Sequence, residues 1–277
     1  MSLTATLPLE KNLEALNLST FVRNYHTYAQ RFEKDKKSCV DYLKELVLVE
    51  LDHRAQTRIA RLLKTSKLPR NKLLQDFDHE RIPGLSVSQI QSLAQGAFID
   101  RYENILIFGN PGTGKTHLSI ALAREWCLAS RKVLYVTAAS LVQQLLAAKQ
   151  TLTLDVFIKK LDTFEVLVID DISYIPFQRH ETDVLFTLLA ARYEMRSVVI
   201  TSNLPFSKWE QIFKDEMTTA AAIDRLVHHA TILELNTQSY RMASAKNTQK
   251  NKQLPKKENN DTPLDPCLNP LKKGNSN

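Results

Sequence analysis

The stretch "NILIFGNPGTGKTHLSIALA", residues 104–123, decides the fold. The chain has only six glycines in 277 residues, and Gly109, Gly112 and Gly114 all fall within "GNPGTGKT" (109–116), directly after the apolar run "NILIF". Glycine permits positive φ and close backbone approach, so three in a row of eight positions mark a loop that needs bare backbone. The pattern G-x-x-x-x-G-K-[ST] between a strand and a helix is a phosphate-binding loop. Its successive N–H groups and the partial positive charge of the helix N-terminus wrap a phosphate chain. Gly109, Asn110, Pro111, Gly112, Thr113, Gly114, Lys115, Thr116 and His117 are therefore the candidate nucleotide-binding residues. Lys115, read as an exposed loop lysine, is expected to reach the β- and γ-phosphates, and the Thr116 hydroxyl to ligate Mg²⁺. ATP and Mg²⁺ are the cofactors this implies.

Outward from the loop, short β-rich runs ("NILIF", "VLYVTA", "EVLVID", "SVVITS", "ATILEL") alternate with helical stretches between about 98 and 236. That is the pattern of a parallel sheet covered on both faces, an α/β fold. Ligands in such folds sit at the C-terminal edges of the strands. "EVLVIDDISYIP" brings Asp170 and Asp171 to that edge, where two adjacent carboxylates are costly without a cation. Asp170 is assigned to Mg²⁺ and Asp171 to orienting and polarising the attacking water. "SVVITSNLP" delivers Ser202 and Asn203 to the same edge, where Asn203 positions the water or touches the γ-phosphate.

Four regions follow. Residues 1–67 show helical spacing and form a small N-terminal helical domain; 68–97, opening on a stretch (68–86) with two prolines and a glycine, read as a linker leading into the ATPase domain; 98–245 hold that domain; 246–277 are polar and proline-bearing and are expected to be a disordered basic tail. Charge is uneven along the chain. Residues 1–75 hold 14 Lys and Arg against 8 Asp and Glu, and 246–277 hold 7 against 3, within a net charge of +7. Basic ends and a pI near 9.2 fit a polyanion partner. Arg54, Arg58 and Arg61 form one basic set at helical spacing. Lys149, Lys159 and Lys160, on the helical stretch "SLVQQLLAAKQTLTLDVFIKKL", form another. Cys39, Cys127 and Cys267 are scattered, without metal-ligand neighbours, so neither a disulfide framework nor a zinc site of cysteines is indicated. No run is apolar enough to span a bilayer and the N-terminus lacks a signal-peptide layout, so the expected address is cytoplasmic, with no membrane partner.

Together "GNPGTGKTHLSIALA", "VLVIDDISYIP", "VVITSNLPFSKW" and "AAAIDRLVHHATILEL" resemble the IstB family, the AAA+ helper ATPases of insertion sequences, related to the DnaC helicase loader. The likeness covers about residues 10–245. It implies an AAA+ P-loop NTPase in which Lys115 and Thr116 fall in Walker A, Asp170 and Asp171 in Walker B, and Asn203 at sensor 1. Arg225 in "IDRL" matches an arginine finger supplied to the neighbouring subunit, and Arg241 in "SYRMASAK" a sensor 2 arginine. The resemblance further implies a homo-oligomer that binds duplex DNA without strong sequence preference and hands it to a transposase. A loader gripping a replicative helicase is the alternative within the fold, and a nucleotide-binding switch or adaptor with little turnover is the alternative outside it.

Overall fold

In the computed structural model, residues 8–82, 84–173, 178–213, 215–237 and 239 are described. The expected tail 246–277 and Arg241 lie outside them. Three helices open the chain: α1 (Leu9–Ala15), α2 (Ser19–Lys34) and α3 (Cys39–Thr65). The Ser38 hydroxyl caps α3 by accepting from the Asp41 N–H at 3.1 Å. Halfway along α3, buried Glu50 accepts from the backbone N–H of Thr20 at 3.2 Å, from the Thr20 hydroxyl, and from Arg54 Nε at 2.6 Å. The Thr20 hydroxyl and then Arg54 hold the Glu50 carboxyl below its ordinary range, against the effect of burial. Arg54 also donates to the Asn17 carbonyl at 2.9 Å, and Arg58 to the Ser130 carbonyl at 3.3 Å. Two of the three arginines expected as a basic set thus brace the fold.

The stretch expected as a linker is more than a tether. It carries α4 (Val87–Gln95), capped by Ser86 Oγ, and runs into α5 (Ala97–Asp100). Ile82, Leu85, Ile90 and Leu93 are buried in one cluster with Leu118, Leu122 and Trp126 of α6 (Lys115–Leu128), and Trp126 Nε1 donates to the Leu93 carbonyl at 2.8 Å. Apolar residues at three-residue steps (87, 90, 93) carry its helical signal, which the prolines and glycines of the stretch mask.

Among the described residues, five strands form one fully parallel sheet: β1 (Asn104–Phe108), β2 (Val133–Thr137), β3 (Val166–Asp170), β4 (Ser197–Ser202) and β5 (Ala230–Glu234), in the order β2-β3-β4-β1-β5. Alternate side chains enter opposite cores, as the two-residue strand period requires. Leu106, Phe108, Leu167, Ile169, Val198 and Ile200 pack under α7 (Ala138–Gln150), α8 (Leu154–Asp162), α9 (Arg179–Arg192), α10 (Glu210–Phe213) and α11 (Glu216–Val227). Ile105, Ile107, Val166, Val168 and Val199 pack under α4, α5 and α6. The helical stretch through 140–161 is therefore two helices. The chain breaks at Leu152, whose φ is 55°, and the Thr151 and Thr153 hydroxyls take up the carbonyls of Ala147 and Ala148 that end α7. No described helix is long and apolar enough to cross a membrane.

Candidate nucleotide site

Because β1 sits between β4 and β5 while the chain leaves it for the far edge at β2, the strand order reverses beside β1, the place where open α/β sheets bind ligands. Register brings the carboxyl ends level: Phe108 pairs with Ser202 and with Glu234, and Thr137 with Asp170. The loop 109–114 leaves β1 there and Gly114, at φ 102°, opens α6. A Cβ on Gly109 would lie 2.6 Å from the Leu235 carbonyl oxygen, and one on Gly114 3.1 Å from the Phe77 ring. The bare backbone is thus required both by the turn and by what packs against it.

Lys115 is buried at 7% exposure, contrary to its reading as an exposed loop residue. Its Nζ donates to the carbonyls of Gly109 at 2.8 Å and Asn110 at 2.9 Å, so the ammonium is held inside the loop's own curve. Thr116 follows on the first turn of α6. Its hydroxyl donates to Asp170 Oδ1 at 2.9 Å. The same oxygen accepts from Thr201 Oγ1 at 2.7 Å, and Oδ2 accepts from Tyr135 OH at 2.8 Å. Three hydroxyls from α6, β4 and β2 therefore satisfy a carboxylate that is only 6% exposed. Burial and the negative charge of Asp170 push the Tyr135 phenol well above its ordinary range, keeping it a neutral donor.

Asp171 follows in the left-handed region at φ 59°, its N–H held by Thr201 Oγ1 at 2.8 Å. Asn203 Nδ2 donates to Asp171 Oδ1 at 3.0 Å, and the Asn203 N–H donates to Ser173 Oγ at 2.8 Å. Asp171 and Asn203 line one cleft of about 580 Å³ together with Pro111 to His117. The opposite wall is Lys72, Asp76, Phe77, Asp78, Arg81 and Ile82, all within the stretch expected as a linker. His117 serves that wall as well as the loop: its Nε2 is 2.9 Å from the Leu73 carbonyl oxygen and its ring 5.6 Å from that of Phe77.

The residues fit a nucleotide. Glycine backbone that no Cβ tolerates, a helix N-terminus and a buried ammonium suit a phosphate chain, and a threonine hydroxyl joined to a carboxylate is the hard oxygen set that Mg²⁺ takes. Tyr135, Thr201 and Ser173 were missed in the sequence, because a hydroxyl on or near a buried strand carries no signal until the register sets it beside its partner. Arg225 does not line this cleft. It sits in the last turn of α11, with NH1 donating to the Ala221 carbonyl at 3.0 Å and its guanidinium 5.2 Å from the Phe186 ring of α9. Lys149, Lys159 and Lys160 are exposed on α7 and α8.

The family model described as IstB-like ATP binding protein matches residues 11–248. An insertion sequence ATP-binding protein of Sinorhizobium fredii is 38% identical over 244 residues, 88% of this chain and 82% of that one. The insertion sequence IS21 ATP-binding protein of Pseudomonas aeruginosa is 34% identical over 234 residues, 84% of this chain and 88% of its own. Among solved structures, the DnaC helicase loader superposes with a TM-score of 0.50 at 17% identity, over 60% of this chain and 97% of that one. AMPPCP-bound DnaA from Aquifex aeolicus superposes with a TM-score of 0.52 at 19% identity, over 69% and 59%. These two show the fold and no more.

Proposed function

The chain belongs to the IstB-like ATP binding proteins, and from that premise we propose that it is a Mg²⁺-dependent ATPase that assembles on duplex DNA and serves a transposase. The observation that carries the catalytic part is the junction of Thr116 with Asp170, fixed by Thr201 and Tyr135 at the mouth of a glycine loop. Phosphoryl transfer needs positioning and charge neutralisation more than covalent chemistry. The loop N–H groups and Lys115 hold the phosphates of ATP. Thr116 and Asp170 would hold Mg²⁺, which when bound neutralises charge on the transferring phosphoryl group. Asp171 orients and polarises the attacking water. Asn203 fixes the Asp171 carboxylate through its 3.0 Å bond, which gives sensor 1 its job here. Arg241 is kept as the sensor 2 arginine.

Arg225 completes the site of a neighbouring subunit. Its absence from the lining of its own cleft supports that reading, and an arginine delivered in trans is worth roughly 10³–10⁵ in rate. An ATPase that borrows its arginine is silent alone, so assembly, DNA and turnover are coupled. The DNA contacts are to phosphates, from exposed lysines such as Lys159 and Lys160, and carry little sequence preference. The place of action is the cytoplasm.

Steady-state ATP turnover with and without duplex DNA tests the proposal. Stimulation by DNA that disappears in Asp171→Asn is expected; turnover indifferent to DNA would leave a nucleotide-binding adaptor. A pull-down against a transposase and a replicative helicase decides the partner, and capture of the helicase alone would overturn the transposition reading.

A further inference from the structure

We propose a second site, for a borderline divalent transition metal of the Zn²⁺ class, at Glu194, His228 and His229. The three lie at the edge of the sheet opposite the nucleotide cleft: Glu194 just precedes β4, and the two histidines just precede β5. His228 Nδ1 is 3.9 Å and His229 Nε2 3.8 Å from the same oxygen, Glu194 Oε1, and the three donor atoms all lie within 4.8 Å of one another. Neighbouring residues in a chain usually send their side chains apart. Here the two imidazole rings are 4.0 Å apart and turn their nitrogens to one carboxylate contributed from a turn 34 residues away.

The backbone under each donor is fixed. The His228 N–H donates to the Asp224 carbonyl at 3.0 Å, and the His229 carbonyl accepts from the Asn104 N–H at 2.7 Å. On the other side, the N–H groups of Met195 and Arg196 both donate to the Arg192 carbonyl at 3.0 Å, closing the turn that presents Glu194. Tetrahedral Zn²⁺ with bonds of about 2.0–2.2 Å spaces its ligands roughly 3.4 Å apart. The donors therefore need to close by about an ångström, which exposed side chains supply by small rotations. Two imidazoles and one carboxylate are the donor set of Zn²⁺ and its neighbours rather than of Mg²⁺ or Ca²⁺. Exposure leaves the remaining position to water. The Tyr193 hydroxyl, 2.8 Å from His228 Nδ1, is the group an arriving ion displaces from that nitrogen.

The site has a consequence for Arg225, and this consequence alone rests on the ATPase reading. His228 ends α11 three positions after Arg225, so an ion shared with Glu194 staples the end of the helix that carries Arg225 to the turn that follows α9.

Titration calorimetry with Zn²⁺ alone, on the full nucleotide-free chain, tests the site. One ion per chain is expected in the micromolar range, weakened at least tenfold in Glu194→Gln and abolished in His228→Ala/His229→Ala. All three residues are exposed, so the variants should melt like the parent without zinc, and only the parent should gain stability with it. Equal binding by parent and variants, or none by the parent at millimolar Zn²⁺, would overturn the proposal. Since the readout is binding, its failure and failure of the ATPase reading are distinct. Turnover measured with and without Zn²⁺ reports the coupling to Arg225 separately.

Discussion

Thr116 Oγ1 stands 2.9 Å from Asp170 Oδ1, joining the first turn of α6 to the last residue of β3 across 54 positions of sequence. The bond ties the phosphate loop to the acidic strand end. With Thr201 on the same oxygen and Tyr135 on the other, the carboxylate has one available orientation. Such preorganisation is where rate enhancement in phosphoryl transfer comes from.

Tyr135→Phe removes one of the three hydroxyls and nothing else. A lost hydrogen bond of about 1–3 kcal/mol to a charged group corresponds to roughly a 5- to 150-fold fall in kcat, with ATP affinity little changed. Kinetics at saturating ATP check it. A large change in nucleotide affinity with kcat intact would show that Tyr135 shapes the pocket instead of aligning Asp170.

Lys115→Ala should abolish ATP binding. The variant leaves to water the carbonyls of Gly109, which is half-buried, and Asn110, which is exposed, so the melting temperature should fall only by the equivalent of about 1 kcal/mol. Nucleotide titration and thermal melting together read both effects. Unchanged ATP affinity would contradict the loop assignment.

Alkaline stability should depend on Cys127. Burial is the chief cause raising its thiol from 9.0 to about 11. The folded state keeps this proton where the unfolded state releases it. The thiol's contribution is therefore fully present below about pH 9 and is lost as pH rises toward about 11. Denaturant unfolding across that window should show a shallower decline in Cys127→Ala than in the parent. Parallel curves would remove Cys127 from the account.

The sheet and half the site were legible in the sequence because their signals are local. β1, β3 and β4 are built on short apolar runs, the glycine spacing is confined to eight residues, Asp170 ends a strand and Asp171 and Asn203 follow directly on strands, so topology alone brings them to one edge. What stayed hidden depends on pairing between distant segments. Tyr135 meets Asp170 only because β2 pairs with β3, and Phe77 faces Gly114 only because the stretch before α4 folds back over α6. Arg54 and Arg58 looked like a basic stripe, since spacing does not reveal that Glu50 and the carbonyls of Asn17 and Ser130 claim them. Lys115 was read as exposed because a loop's curvature is not written in its composition.

DNA affinity should fall linearly with salt on a log–log plot, with a slope of about −0.9 per neutralised phosphate. The slope should be steep with ATP and shallow without it, if assembly arrays the lysines of many subunits. Neutralising Lys159 and Lys160 should flatten it more than removing residues 246–277. Fluorescence anisotropy over a salt series checks this, and a slope indifferent to nucleotide would undo assembly on DNA.

The composite site is the central claim, and mixing two inactive variants tests it most directly. Arg225→Ala keeps a complete cleft but lends no arginine; Lys115→Ala lends the arginine but cannot hold ATP. ATP turnover measured on the two together, with duplex DNA and with co-assembly shown by sedimentation, should recover to a clear fraction of the parent's rate although each alone is silent. Mixtures that co-assemble and stay silent would contradict the account, returning Arg225 to a role within its own subunit.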